Sequence, residues 1–194
     1  MAFFTVDRKT PANSAGRRQL ACGETLHAAG EEGLAWRLQR GVLRLDSPHA
    51  DGRRFASLAI AGDIVGCETL LFGVYTFSAG ALTDCELSPW PEGDPAQAGE
   101  SLLASLARAQ QRAAEILALR GGQAVDRVLG LVRLLAEGDG RVVLPMRQEI
   151  AEITDLRFET ISRIVKQLER SGVLIPARIA GVHATRGFRY LGQG

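Results

Sequence analysis

One uninterrupted helical stretch in the middle of the chain divides it into two unlike halves. Pro89, Pro91, Gly93, Asp94 and Pro95 break the preceding pattern, and Gly121-Gly122 ends the stretch. Between them, QAGESLLASLARAQQRAAEILALR (Gln97–Arg120) places Leu103, Leu106, Gln110, Ala113 and Leu117 at steps of three and four. That spacing is an a/d-like seam. At 1.5 Å per residue the helix would be roughly 36 Å long, more than a small domain needs for its own core. It either packs on its own domain or pairs two chains, and the mixture of small Ala and long Leu along the seam favours pairing. Each glycine of the pair costs a helix interior about 1 kcal/mol against Ala, so Gly121-Gly122 marks a break or hinge.

The half before the helix has strand character. Short apolar stretches recur with turns between them. Trp36-Arg37-Leu38-Gln39 and Leu43-Arg44-Leu45-Asp46 alternate, and Ala50-Asp51-Gly52 is a hairpin signal. Several short strands at close spacing imply a small barrel or roll. The half after the helix reads as helices. Ala124–Glu137 carries Val125, Val128, Leu129, Val132 and Leu135 on one face, Gly138-Asp139-Gly140 turns the chain, and Val142-Val143-Leu144 is a short strand. The fold class is therefore α+β, divided at 1–96, 97–120 and 121–194.

Composition excludes more than it selects. The 194 residues, 46% hydrophobic and 23% charged, are those of an ordinary globular chain. No apolar run reaches the roughly 18 residues of a membrane span. The opening MAFFTVDRK is too short for a secretory core, and the expected location is the cytoplasm. Cys22, Cys67 and Cys85 are scattered and odd in number, so no disulfide framework and no CxxC pair exists. They read as small, partly buried hydrophobes. No P-loop, HExxH or Ser/His/Asp motif occurs, so the chain is not expected to be an enzyme. The net charge of +1 hides an asymmetry: residues 141–194 carry nine Lys/Arg against five Asp/Glu, and residues 1–140 carry fourteen against seventeen. A basic end on an acidic body suits contact with a polyanion.

Within that basic end, LPMRQEIAEITDLRFETISRIVKQLERSGVL splits into a short helix near Met146–Ile153, a turn at Thr154–Leu156 and a second helix near Arg157–Arg170. Two helices joined by so few residues form a helix-turn-helix. At 100° per residue, with Glu159 at 0°, Ser162, Arg163 and Lys166 lie within about 60° of it, while Phe158, Ile161, Ile164, Val165 and Leu168 fall between about 140° and 260°. The polar face suits either plain solvation or base reading. Arg pairs with guanine O6/N7 and a carboxylate accepts from cytosine N4. An intrahelical Glu159–Arg163 pair would also account for an acid there, at about 0.2–0.5 kcal/mol.

RQEIA, then ETISR, then LERSGVL resemble the helix-turn-helix of the Crp/Fnr family, and the order roll, long helix, hinge, helix-turn-helix matches over nearly the whole chain. The resemblance implies a cupin-like, cyclic-nucleotide-binding-like β-roll, a dimerisation helix and a C-terminal winged helix-turn-helix. It implies a homodimer that binds double-stranded DNA, contacts RNA polymerase and activates transcription. The E-x-x-S-R form is similar to the Fnr branch, which reads TTGAT-type palindromes. Arg163 would then hold the guanine, Glu159 the cytosine and Ser162 the flanking thymine. Gln148, Arg157, Thr160, Lys166 and the wing residue Arg186 would meet phosphates, with Arg178 and Arg189 as further candidates.

The sequence departs from the family pattern at several positions. Asp155 stands where the turn often has Gly, and Arg157 cannot cap the second helix as Ser or Thr does, which leaves Asp155 as the candidate cap. In cyclic-nucleotide members a G-E-x-A-L cassette precedes R-S-A. Here Cys67 holds the Glu position with Glu68 one residue late, and Phe77 precedes Ser78 where Arg would neutralise the phosphate. Burying that phosphate without its cation costs several kcal/mol, so the regulator is not expected to depend on cyclic AMP. An iron–sulfur cluster needs four ligands, and only Cys22 lies near the N-terminus. His27, His49 and Cys67 are conceivable haem ligands, although isolated histidines in a roll are ordinarily exposed or satisfied, and no cofactor is expected. A competing reading makes the chain a ligand-sensing roll whose helix-turn-helix serves protein contacts.

Overall fold

The computed structural model describes residues 16–50, 52–91 and 95–192. The opening stretch, Asp51 of the hairpin signal, and Gly93-Asp94 of the break lie outside these residues. Among the described residues eight strands precede the long helix. They are β1 (Arg18–Leu20), β2 (Thr25–His27), β3 (Ala35–Arg40), β4 (Val42–His49), β5 (Gly52–Ile60), β6 (Ile64–Val65), β7 (Ser78–Ala81) and β8 (Cys85–Trp90). They form two four-stranded sheets, β1-β8-β3-β6 and β2-β7-β4-β5, each antiparallel. Leu20, Trp36, Leu38 and Leu87 of the first sheet meet Leu26, Leu43, Ala79 and Ala81 of the second in one core. The alternating residues of β3 and β4 supply that core because successive side chains of a strand point to opposite faces.

A register shift interrupts the pairing of β4 with β5. Leu45 faces Ser57 and Asp46 faces Phe55, so Ala56 is the extra residue of a bulge. The extra residue returns Phe55 to the face occupied by Leu58. Both are buried, and both belong to a second apolar cluster that runs into the C-terminal half.

The long helix, α2, spans Pro95–Ala118, following the single-turn α1 at Thr69–Phe72. It starts two residues before Gln97 because proline tolerates the first helical turn, where its missing N–H has no partner to lose. It stops two residues before Arg120, in a turn leading to Gly121-Gly122. One face of α2 rests on the roll through polar anchors. The Ser105 hydroxyl accepts from Ile64 N (2.8 Å), the Arg108 guanidinium donates to Gly62 O (3.1 Å), and buried Arg112 pairs with buried Asp63 and donates to Leu58 O (3.2 Å).

The C-terminal half comprises α3 (Ala124–Leu135), β9 (Arg141–Val143), α4 (Arg147–Thr154), α5 (Phe158–Arg170), β10 (Leu174–Pro176) and β11 (Gly187–Tyr190). The three strands form an antiparallel sheet in the order β10-β11-β9. Ile150, Ile153, Ile161, Val165, Leu168, Leu174 and Phe188 make its centre. Gly130 of α3 allows the close approach of α2's end: a Cβ there would meet Leu119 Cδ2 at 2.4 Å. The hinge glycines are held in place, since Arg127 Nε donates to Gly121 O and Gly122 O, each at 3.2 Å.

Candidate nucleic-acid interface

α4 and α5 are joined through Asp155, whose φ of 53° is left-handed and whose N–H donates to Ala151 O. Aspartate tolerates this conformation better than most residues. It ends α4 and turns the chain, but it makes no side-chain bond to the start of α5, so the expected substitute cap is not formed. Arg157 occupies that cap position without a side-chain hydrogen bond, leaving the first amides of α5 open. Glu149 supports the other helix by accepting from Met146 N at 2.9 Å, half of a capping box.

On α5 the apolar face Ile161, Ile164, Val165 and Leu168 is buried, while Glu159, Arg163 and Lys166 are exposed and Ser162 is half-buried at the edge of that polar face. Among the described residues neither Glu159 nor Arg163 has a hydrogen-bond or ion-pair partner. The intrahelical pair is therefore not formed, and both charged groups stay available to an incoming ligand. Phe158 differs from its helical-wheel position: it is 48% exposed in the first turn of α5, beyond the reach of the core. Arg157 and Gln148 are exposed and Thr160 is half-exposed. Gln148 is engaged with Glu152 of its own helix, its Nε2 donating to Glu152 Oε1 at 3.3 Å. Arg178 and Arg189 are exposed on the wing.

Arg186 departs from its expected role as a phosphate contact. Its Nε donates to Leu144 O (2.7 Å), its Nη2 to Leu82 O (2.7 Å) and its Nη1 to Cys22 Sγ (3.1 Å). The guanidinium is spent between the wing and the roll, because the base of β11 lies against the loops flanking β1 and β8. The end of α4 shows a similar arrangement that periodicity does not reveal. Arg120 donates to Glu152 O (3.2 Å) and Ile153 O (3.3 Å), and Arg127 to Thr154 O (3.3 Å). These are the free carbonyls at the negative end of a helix dipole, where cations are favoured.

The seam residues Leu103, Leu106, Gln110, Ala113 and Leu117 lie on the exposed side of α2, with Leu103, Leu106 and Leu117 exposed by 70%, 50% and 73%. The opposite side buries Ala98, Ser105, Arg112 and Ile116.

In the cassette, Gly66 has φ +75°, and a Cβ there would meet Tyr75 Cε1 at 2.6 Å. Tyr75 is buried and donates to Leu34 O at 2.7 Å. Glu68 accepts from Thr76 N (3.3 Å), Ser78 Oγ accepts from Ala29 N (3.0 Å), Cys67 packs against the α2 start, and Phe77 is partly exposed. His27 differs from the expectation of an exposed or satisfied histidine. It is buried and stacked on Tyr75 with ring centroids 3.6 Å apart, and among the described residues its Nδ1 has no hydrogen-bond partner. Burial pushes its pKa down to about 4. Cys85 is buried, and burial pushes its thiol up to about 11, while Cys22 and Cys67 are half-buried. Among the described residues no group of three or more metal-ligating side chains gathers, and no helix is long and apolar enough to cross a membrane.

No family model matches the sequence. Among curated proteins, the chain is 33% identical to the nitrogen fixation regulation protein FixK of Bradyrhizobium diazoefficiens, over 82% of this chain and 74% of that one. It is 30% identical to the FixK of Rhizobium meliloti, over 87% and 84% respectively. Among solved structures, a CRP-family transcriptional regulator of Thermus thermophilus superposes with a TM-score of 0.69 at 24% identity, over 90% of this chain and 92% of that one. FixK2 of Bradyrhizobium japonicum gives 0.64 at 24% identity, over 91% and 92%. The fold and the sequence relatives agree with the motifs of α4 and α5: the chain belongs to the Crp/Fnr family of transcription regulators.

Proposed function

We propose that the protein is a homodimeric, sequence-specific DNA-binding regulator that reads a TTGAT-like palindrome without cyclic AMP and activates transcription through RNA polymerase. The observation that carries this reading is the outward face of α5, where Glu159 and Arg163 stand side by side, exposed and, among the described residues, unpaired, with Ser162 at the edge of that face. An arginine left free to pair bidentately with guanine, beside a carboxylate left free to accept from cytosine, suits base reading better than phosphate binding alone. Arg157, Thr160 and Lys166 flank that face and serve the backbone, and Gln148 joins them by releasing Glu152.

The exposed seam of α2 supports the dimer. Covering Leu103, Leu106 and Leu117 with a second copy would yield about 1.5–3 kcal/mol for each side chain fully buried. Two recognition helices would then enter successive major grooves about 34 Å apart. The cassette does not suit a cyclic nucleotide: Phe77 offers no charge to a phosphate, and Glu68 is engaged with the loop at Thr76. The names of the FixK relatives support a regulatory role, and activation is the direction proposed for it.

The test is a fluorescence titration of the ligand-free protein against a TTGAT-N4-ATCAA duplex and a scrambled duplex at near-physiological salt. Tight binding to the palindrome alone, lost in Arg163→Ala and unchanged by added cyclic AMP, supports the proposal. Absence of binding even at low salt refutes it and favours a roll whose helix-turn-helix contacts proteins. A promoter reporter then distinguishes activation from repression.

A further inference from the structure

A palindrome reader must hold its two recognition helices at a fixed separation and twist, and the exposed seam lies on α2 rather than on α5, so the link between the two must set both. The reading module is fastened to the roll at two separate points. At the end of α4, Arg44 of β4 reaches Glu152 at 2.5 Å, and Arg120 grips the Glu152 and Ile153 carbonyls. Both guanidiniums lie over the Phe55 ring, at 5.6 and 5.5 Å from its centroid. At the base of the wing, Arg186 ties Leu82 and Cys22 of the roll to Leu144 of the module. One fastening would leave a pivot. Two restrict rotation to the axis through them, and the apolar cluster joining Phe55, Leu58 and Leu82 to the module's own core restrains that axis. Charge-assisted hydrogen bonds are short and directional, so they fix orientation as well as proximity.

We propose that Arg44, Arg120 and Arg186 are positioning residues that set the half-site spacing the dimer accepts, although none of them reads a base. The inference rests on the DNA-binding dimer proposed above. It assigns part of the sequence specificity to the roll: the recognition face selects the half-site, and the fastenings select the distance between half-sites.

The experiment compares duplexes with four base pairs between half-sites and duplexes with two more inserted. The insertion moves one half-site by about 7 Å and turns it by about 70° around the helix axis. The variants are Arg186→Ala, Glu152→Gln and the double variant. Glu152→Gln acts at a side chain that is 42% exposed, so it weakens the Arg44 fastening without opening the core. Thermal melting confirms that each variant is folded. The wild type discriminates between the spacings. Each single variant lowers the ratio of the two affinities by about tenfold and the double variant lowers it further, while the salt dependence of binding stays at the wild-type slope. A spacing ratio unchanged in the folded double variant overturns the inference. So does a salt slope reduced by about one in Arg186→Ala, which would make that residue a phosphate contact. A wild type that binds palindrome and scrambled duplex alike instead overturns the DNA-reader proposal, and the spacing inference with it.

Discussion

Removing the Arg112 side chain should cost more than any other single truncation in α2. Its side chain is 5% exposed, and its guanidinium faces the carboxylate of Asp63, whose side chain is 3% exposed. Nη2 lies 3.2 Å from Asp63 Oδ1, and Nη1 also donates to Leu58 O at 3.2 Å. Among the described residues the Asp63 carboxylate keeps only the Ile60 N–H, at 2.9 Å, once the arginine is gone. Breaking a buried pair from one side leaves an uncompensated charge, a loss of about 3–5 kcal/mol. A folded chain is worth about 5–15 kcal/mol in total, so Arg112→Met should remain folded at low temperature with a much lower urea midpoint. Replacing both partners, as in Asp63→Asn with Arg112→Met, removes the stranded charge and should recover at least about 2 kcal/mol of that loss. Urea unfolding of the wild type, both single variants and the double variant measures the coupling. A loss below about 1 kcal/mol for Arg112→Met, or a double variant no more stable than Arg112→Met, would refute the claim that this pair anchors the helix to the roll.

Other consequences are open to measurement. His27 has an ordinary pKa of 6.5 when unfolded and about 4 when folded, so the unfolded state binds more protons between those values. Stability is therefore fully present above pH 6.5 and declines towards pH 4, by about 3 kcal/mol in all. In His27→Phe that part of the pH dependence of urea unfolding should vanish, and a profile unchanged in the variant would refute the assignment. Arg163→Ala should weaken palindrome binding by about 1–3 kcal/mol with little effect on binding to scrambled duplex, and equal losses on both duplexes would contradict base reading. Leu106→Asp places a charge in the exposed seam and should give a monomer in analytical ultracentrifugation, whereas an unchanged sedimentation coefficient would argue against that seam. The Cys85 thiol should resist aqueous disulfide reagents in the native state and react on unfolding, and rapid native labelling at Cys85 would contradict its burial.

The features that were legible in the sequence are those with a local period. Alternation in β3 and β4 marked the roll, the three-and-four steps of α2 marked its exposed seam, and the angular separation on α5 divided Glu159, Arg163 and Lys166 from the buried isoleucines. The features that escaped depend on partners distant in sequence. In the sequence Arg186 is one more wing cation, because nothing near it in the chain indicates that Leu82 and Cys22 lie opposite. Arg112 meets Asp63 across 49 positions. Phe55 joins the second apolar cluster only because of the bulge at Ala56, and a one-residue slip in strand pairing leaves no trace in composition. Phe158 departs from its helical-wheel position because an angle carries no information about how near a residue lies to the helix end. The unpartnered nitrogen of His27 was likewise invisible, since it requires knowing which rings stack.

The apolar cluster that runs from β5 into α4 and α5 also governs how the molecule can be taken apart. Val42, Phe55, Leu58 and Leu82 belong to the roll by sequence, but they are buried in the same continuous cluster as Ile153, Ile161 and Leu174. A fragment cut at the hinge would present these four side chains to water on one piece and the matching face on the other. Neither piece inherits a finished surface, so the two halves should melt in a single cooperative transition rather than as independent modules. Swapping a reading head from a relative would therefore also require replacing the roll residues beneath it.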